Sequence, residues 1–354
     1  MRILYGVCGE GMGHATRSDV IARHLASRGH QIQFTCSRGR ALDYLRSRWG
    51  AGSVTEVPGF RLVVKNNRVM LAHTLVDNAL NHIMSSASAV DIIPAFRVTK
   101  PDVVIDDFDA WTARYAKFFR KPLIAIDNIH FITRCHHPPE WIEAHRGDAA
   151  AAMLVTQVTV PEALYYFVLA FTRQAPVSQP LTGLHLPVVR DSVTAQPVSD
   201  RGHLLAYFNE RADWPAILAV LQRAPLPVRV YGSPGIASRQ QISNVTLCPF
   251  SESELAVDLA SSTAVVSGAG FSLISEALAL RKPILAIPFG ASFEQILNGR
   301  YLDREGFGTW APVLTTGGLE RFLGRLQPMR SRLATLPSGN EDLFASLDRL
   351  LEVL

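Results

Sequence analysis

Residues 265–298 read VVSGAGFSLISEALALRKPILAIPFGASFEQILN, and the organisation of the whole chain follows from them. Val265 and Val266 close a short apolar run, the pattern of a strand buried on both faces of a parallel sheet. Gly268, Ala269 and Gly270 then clear side-chain bulk from the strand's carboxyl end, ahead of Phe271. Ser272 is a candidate N-cap for a helix in which Leu273, Ile274, Ala277 and Leu278 keep helical spacing. The first-turn amides of such a helix have no partners inside it. With the helix dipole they form a site for a diphosphate. Glu276 lies four residues beyond Ser272 and shares its face, where a carboxylate one turn in can accept from vicinal ribose hydroxyls. Lys282-Pro283 opens a second strand that ends at Pro288, and the polar pair Glu294-Gln295 follows. The competing reading is a βαβ unit whose glycines serve only close packing. The ordered arrival of Glu276, Pro288 and Glu294-Gln295 speaks against it.

The stretch resembles the nucleotide-sugar signature of GT-B glycosyltransferases, among them the UDP-glycosyltransferases and the peptidoglycan N-acetylglucosaminyl transferase. The resemblance implies that Gly268, Ala269, Gly270, Phe271 and Ser272 hold a diphosphate, that Glu276 holds the ribose, and that Glu294 and Gln295 hold sugar hydroxyls. Asn298 matches the Asn that commonly follows. One departure stands out. Many members begin the turn His-Gly-Gly, whereas this chain has Ser267-Gly268-Ala269-Gly270, so Ser267 or backbone amides must replace a histidine contact to phosphate.

The 354 residues suffice for two domains, and 48% apolar with 19% charged residues describes a folded, water-soluble chain. The net charge of +4 is uneven. Residues 1–194 hold 21 Lys and Arg against 16 Asp and Glu, and the remainder 14 against 15. A mildly basic first half can meet an anionic acceptor or a lipid surface. The interleaved basic and aromatic residues of a nucleic-acid groove are not evident. Cys8, Cys36, Cys135 and Cys248 are scattered without a CxxC pair, which indicates neither a zinc ribbon nor a disulfide framework and fits a reducing compartment. The N-terminus runs straight into a strand and a glycine loop, and no apolar run reaches membrane-spanning length. A cytoplasmic protein is expected, with peripheral contact at the inner face of a membrane as a further expectation.

The first strand is expected over residues 2–7, followed by the loop Gly9-Glu10-Gly11-Met12-Gly13-His14. Thr16 is a candidate cap for a helix over 17–27, and residues 31–36 form the next strand. This is the opening of a Rossmann-like half. The spacing G-x-G-x-G is neither the dinucleotide fingerprint nor a P-loop, which disfavours NAD. His14 is either a polar brace of the first helix or a general base, a task suited to an imidazole that titrates near neutrality. The strand 103–105 runs into Asp106-Asp107-Phe108-Asp109, carboxylates at the end of a buried strand, where one can orient a histidine. Asp109 is the natural cap for the helix that follows. In the plant UDP-glycosyltransferases a Gly-His pair in this loop supplies the base, and an Asp just before a Phe partners it. The resemblance therefore implies His14 as base and Asp107 as its partner, with Asp106 in reserve. It also places Gly11, Gly13 and His130 on the acceptor side. Residues 9–18 further resemble a bacterial and archaeal GT-B subgroup with the loop Gly-Glu-Gly-x-Gly-His followed by a Thr/Arg/Ser patch.

Arg61, Lys65 and Arg68 around Asn66-Asn67 read as a loop over the cleft, and residues 69–98 as a long helical region broken near Pro94. Cys135, His136, His137 and His145 raise a metal, but adjacent histidines on a loop rarely converge on one ion, and GT-B transfer generally uses none. Residues 141–171, with Trp141, Tyr165, Tyr166, Phe167 and Phe171, read as a buried helix pair, with a membrane-facing segment as the alternative. Residues 191–201 read as a linker. Beyond it, Gly232-Ser233 closes one strand, and Phe250 lies on the loop that, by resemblance, seats the uracil.

The expected fold is α/β of GT-B type, two Rossmann-like parallel-sheet domains facing across a cleft: 1–194 for the acceptor, 202–335 for the donor, and 336–354 as a helix crossing back. The expected activity is inverting, metal-independent transfer of a sugar from a nucleotide sugar, a UDP-sugar above all, to the hydroxyl of a small molecule or lipid-linked saccharide. The nucleotide sugar is a co-substrate, and no cofactor is expected. Two rivals share the fold: a UDP-sugar 2-epimerase, and a non-catalytic nucleotide-sugar binding protein.

Overall fold

The computed structural model describes every residue except 60–63, 66–67, 70–88, 161, 210–211, 291 and 338. The chain divides into two units. The first comprises Met1–Val188 together with Gly339–Leu354, and the second Val189–Ser338.

In the first unit, short apolar runs form strands β1 (Arg2–Val7), β2 (Gln31–Ser37), β3 (Val54–Val57), β6 (Val103–Asp107), β7 (Leu123–Asp127), β8 (Tyr165–Leu169) and β9 (Thr182–His185); between them lie the two-residue pieces β4 (Val64–Lys65) and β5 (Arg68–Val69), which pair antiparallel. The seven-stranded sheet has the order β3-β2-β1-β6-β7-β8-β9, all parallel. Its central strands are buried along their length, including all five residues of β6 and of β7. That is why they read as unbroken apolar runs rather than as alternation. The chain leaves β1 toward β2 on one side, and β6 continues on the other. This reversal opens a crevice at the carboxyl ends of β1 and β6, where ligands bind in such sheets. Register places Val7 opposite Asp107, so the loop after β1 lies beside the end of β6.

The second unit repeats the plan with β10 (Leu204–Tyr207), β11 (Val228–Tyr231), β12 (Gln240–Ile242), β13 (Val245–Leu247), β14 (Ala264–Ser267), β15 (Ile284–Ala286) and β16 (Gly308–Trp310). The order is β12-β13-β11-β10-β14-β15-β16, parallel except for the edge strand β12. The reversal here falls between β10 and β14. Its core gathers Leu204, Ala206, Val228, Val230, Val266 and Leu285 from the sheet with Trp214, Ile217 and Phe322 from helices.

Several expectations need correction. Residues 165–169 form a strand, not part of a helix pair; the helices of that region are Pro139–Glu143 and Arg146–Thr159. Tyr-Tyr-Phe-Val-Leu is aromatic and β-branched. It lies between β7 and β9, so burial on both faces removes the period that separates strand from helix. Tyr166, Phe167 and Phe171 are core residues. The first helix runs Met12–Ser27 and so begins well before residue 17. Gly11, at φ 85°, makes the turn into it, and Thr16 lies inside, its hydroxyl donating to Gly13 O at 3.3 Å. Helix Phe271–Ala279 likewise starts before Ser272, with Gly270 as N-cap and no side-chain cap. Asp109 does cap its helix, accepting from the amide of Thr112, and Ser251 caps Glu252–Ser261, accepting from the amide of Glu254. Arg61, Asn66, Asn67 and most of 69–88 lie outside the described residues; the helix described there is Ala89–Thr99, with Pro94 inside it.

Residues 191–194 form a short helix of the second unit rather than linker. The helix Glu341–Glu352 belongs to the first unit: Leu343, Leu347 and Leu351 are buried, His24 stacks on Phe344 at 4.1 Å, and His24 Nε2 lies 2.9 Å from Asp348 Oδ1. No helix among the described residues is long and apolar enough to cross a membrane.

Candidate active site

Each unit carries one cluster of polar residues at its strand-order reversal. In the first unit, early entry into the helix puts His14, Arg17 and Ser18 on one face, because residues three and four apart are neighbours. That face meets Asp107 at the end of β6. His14 Nδ1 stands 2.8 Å from Asp107 Oδ1. Arg17 grips the same carboxylate with both prongs, Nε donating to Oδ2 at 2.6 Å and Nη2 to Oδ1 at 2.5 Å, and Ser18 Oγ donates to Oδ2 at 3.1 Å. Arg17 Nη1 donates to Asn128 Oδ1 at 2.5 Å, and Nη2 also lies 2.8 Å from His14 Nδ1. Asp107 is fully buried and Arg17 nearly so, while the His14 side chain keeps 16% of its surface exposed. Burial pushes the Asp107 carboxyl up, but Arg17 and His14 outweigh it and hold the group below its ordinary range.

Asp106 plays no part in that pairing. Its Oδ1 accepts from the Asp109 amide at 3.0 Å, and Oδ2 has no partner among the described residues. Burial and then Asp109 push its carboxyl well above the ordinary range. Asp109 is itself raised by burial to about 6. His130 lies inside the unit, its Nδ1 2.7 Å from Asp127 Oδ2, its ring 4.9 Å from that of Tyr166, and its Nε2 buried without a partner among the described residues. Gly11 faces open space. His137 Nε2 contacts Phe131 O at 2.8 Å, and no group of three or more His, Cys, Asp or Glu among the described residues is arranged to hold a metal ion.

In the second unit, β14 ends at Ser267, whose hydroxyl is buried without a partner among the described residues. The turn that follows needs a left-handed residue, and Ala269 takes it at φ 60°; Asn298 Nδ2 donates to Ala269 O at 3.1 Å and to Glu294 Oε1 at 3.1 Å. A β-carbon at Gly268 would make only ordinary contacts at 3.9 Å, and one at Gly270 would meet nothing within 4 Å. Packing within the unit therefore does not require either glycine, and the space before the helix stays open. Gly232 differs: it sits at φ 89°, and a side chain there would strike Phe208 O. Ser233 follows it in the loop after β11.

Glu276 is buried on the helix after the turn, its Oε1 accepting from Arg190 Nε at 2.7 Å, and Arg190 Nη1 lies 3.4 Å from Glu252 Oε2. Burial raises the Glu276 carboxyl above its ordinary range, and Arg190 pulls it part of the way back. Phe271 is buried and Ser272 partly exposed in the first turn of that helix. Gln295 Oε1 accepts from the Phe289 amide at 2.7 Å, which fixes the loop between β15 and the next helix. Phe250 presents 47% of its surface, an apolar face left uncovered.

Sequence reasoning gave no role to Arg17, Asn128 or Arg190. Arg17 had a signal, its place three residues after His14 on a helix. Arg190 and Glu276 are too far apart for any spacing to join them.

The family model described as "Glycosyl transferase family 1" matches residues 1–327. A search of curated proteins gives no match. Among solved structures, the glycotransferase of kitacinnamycin superposes with a TM-score of 0.65 at 14% identity, covering 98% of both chains. The spinosyn rhamnosyltransferase complexed with thymidine diphosphate gives 0.64 at 15% identity, over 99% of this chain and 100% of that one. A UDP-glucosyltransferase from Polygonum tinctorium, capable of glucosylating indoxyl, gives 0.64 at 13% identity, over 94% and 92%. These structures share the two-sheet GT-B fold, and with the family model matched over nearly its whole length, the chain belongs to glycosyl transferase family 1.

Proposed function

We propose that this glycosyltransferase moves a hexose or N-acetylhexosamine from a nucleoside diphosphate, UDP above all, to the hydroxyl of a small-molecule or lipid-linked acceptor, with inversion and without a bound metal. The observation that carries the reading is the open turn at Gly268–Gly270, set at a strand-order reversal before a helix that bears buried Glu276. Helix first-turn amides take the diphosphate oxygens, Glu276 the ribose hydroxyls, and Glu294 and Gln295 the sugar hydroxyls. Phe250 offers its exposed face to the base. Gly232 and Ser233 border the donor on the loop after β11. Thymidine diphosphate, bound in one fold neighbour, and the naming of another as a UDP-glucosyltransferase support a pyrimidine nucleotide. UDP is preferred on the resemblance of Glu276 and Glu294-Gln295 to the UDP-glycosyltransferase signature.

In the first unit, Gly11, Gly13 and His130 border the acceptor. His14 Nε2 takes its hydroxyl proton as the oxygen bonds to the anomeric carbon and the bond from that carbon to the diphosphate breaks. A single displacement inverts the centre. The helix amides stabilise charge developing on the departing diphosphate. Chelator is therefore expected to leave the rate unchanged, as a steady-state assay with and without it checks; loss on chelation, restored by a divalent cation, would overturn the metal-free step.

Nucleoside diphosphates titrated against the purified protein test the donor assignment. UDP at about a hundred times its Kd should raise apparent stability by about 2.7 kcal/mol. Glu276→Ala removes charged hydrogen bonds to ribose and should weaken UDP about ten- to a hundredfold. A preference for another base overturns UDP, and unchanged affinity in Glu276→Ala removes the ribose role.

A further inference from the structure

The contacts at His14 Nδ1 pose a problem that a simple histidine–carboxylate pair does not have. Two groups lie 2.8 Å from this one nitrogen, Asp107 Oδ1 and Arg17 Nη2. Ionised Asp107 only accepts hydrogen bonds, and a guanidinium only donates. A single ring nitrogen satisfies one of them at a time. With the proton on Nδ1 it donates to Asp107, and Nε2 presents the lone pair that a base needs. With the proton on Nε2, Nδ1 accepts from Arg17, and the outward nitrogen becomes a donor that can take no proton. The fully charged imidazolium suits the pair least, because its Nδ1–H faces a second cation.

We infer that Arg17 is a positioning residue that competes with Asp107 for His14 Nδ1, and thereby sets the tautomer of this imidazole. The inference deepens the proposed role of His14 and rests on it only for its consequence in catalysis. The geometry is over-determined. Arg17 is 5% exposed, is bidentate on Asp107, and is steered by Asn128 Oδ1, so Nη2 stays beside the ring. Ser18 occupies Asp107 Oδ2, which leaves Oδ1 as the atom shared by His14 and Arg17.

Other ionisable groups surround the cluster. Asp106 lies in β6 beside Asp107 and Asp109 just after it, Asp127 precedes Asn128, and Tyr5 and Cys8 come from β1 and the loop after it. Asp109, raised by burial to about 6, titrates in the range of a histidine. A rate profile alone would not separate the two, so imidazole nitrogen signals are needed.

The test is heteronuclear NMR of the full chain, with ring nitrogens of His14 identified by their loss in His14→Ala. Arg17→Met, which removes the competing donor, should move His14 wholly to the Nδ1–H tautomer. Arg17→Lys keeps the charge beside Asp107 without a second nitrogen at the ring. It should also give the Nδ1–H tautomer, and it serves if the methionine variant does not fold. Parent-like nitrogen shifts in a folded variant of either kind would overturn the competition. Turnover should change together with the tautomer in Arg17→Met. NMR shifts that move while turnover stays put would uphold the inference and remove His14 as the base.

Discussion

Turnover of His14→Ala is expected to fall by about 10²–10⁴-fold, the contribution usual for a positioned general base. The affinity for the nucleotide should hardly change, because the proposed donor residues belong to the other unit. The side chain is a clean target. Without it, Asp107 keeps Arg17 on both oxygens and Ser18 on one, so no buried charge is stranded. His14 is also the member of the cluster with exposed surface, and its loss leaves no closed cavity. The measurement pairs kcat at saturating donor with a calorimetric Kd for the nucleoside diphosphate. A rate that survives the substitution places the base elsewhere. A parallel loss of nucleotide affinity would show that the variant disturbs more than proton transfer.

The largest stability effect is expected at Asp107. Asp107→Ala leaves the buried Arg17 guanidinium its hydrogen bonds to Asn128 and His14 but removes its paired carboxylate, and breaking a buried ion pair costs about 3–5 kcal/mol. Urea unfolding read by a probe in the first unit would measure the loss, and a variant as stable as the parent would show that water reaches Arg17. Acid sharpens the test. Asp107 is held below its ordinary range, so the stability it contributes is present above the unfolded value of about 3.9 and lost as pH falls through the folded one. Asp107→Asn should lack that acid-dependent part. Asp109 has the opposite sign: raised to about 6, it favours the fold below about pH 3.9 and loses that contribution as pH rises through 6, in parent and variant alike.

The parallel strands were legible because burial on both faces leaves unbroken apolar runs between glycine and proline punctuation, as at β1, β10 and β14. The same property hid β8, where two-sided burial left no period to tell strand from helix. Helix starts were misjudged where a polar residue looked like a cap. Thr16 and Ser272 lie inside helices that open on Gly11 and Gly270. The nearness of His14 to Asp107 was legible through the resemblance, which matches Gly13-His14 and Asp107-Phe108; the strand end alone left Asp106, Asp107 and Asp109 open. The guanidinium partners were not. Arg17 and Arg190 earn their places through contacts with residues 90 and 86 positions away, and a lone arginine carries no mark of its partner.

The helix Glu341–Glu352 has a consequence for how the chain is made. The second unit, residues 189–338, is complete in the nascent chain before the residues that bring Leu343, Leu347 and Leu351 to the first unit have been added. Domains fold as units as they emerge. The first unit, begun earliest, is thus finished last, and until then the surface that receives these leucines stays open to water. Burying each leucine is worth about 1.5–3 kcal/mol. Until residues 341–352 emerge from the ribosome, the first unit keeps an unfinished apolar surface, a window in which chaperones have something to bind.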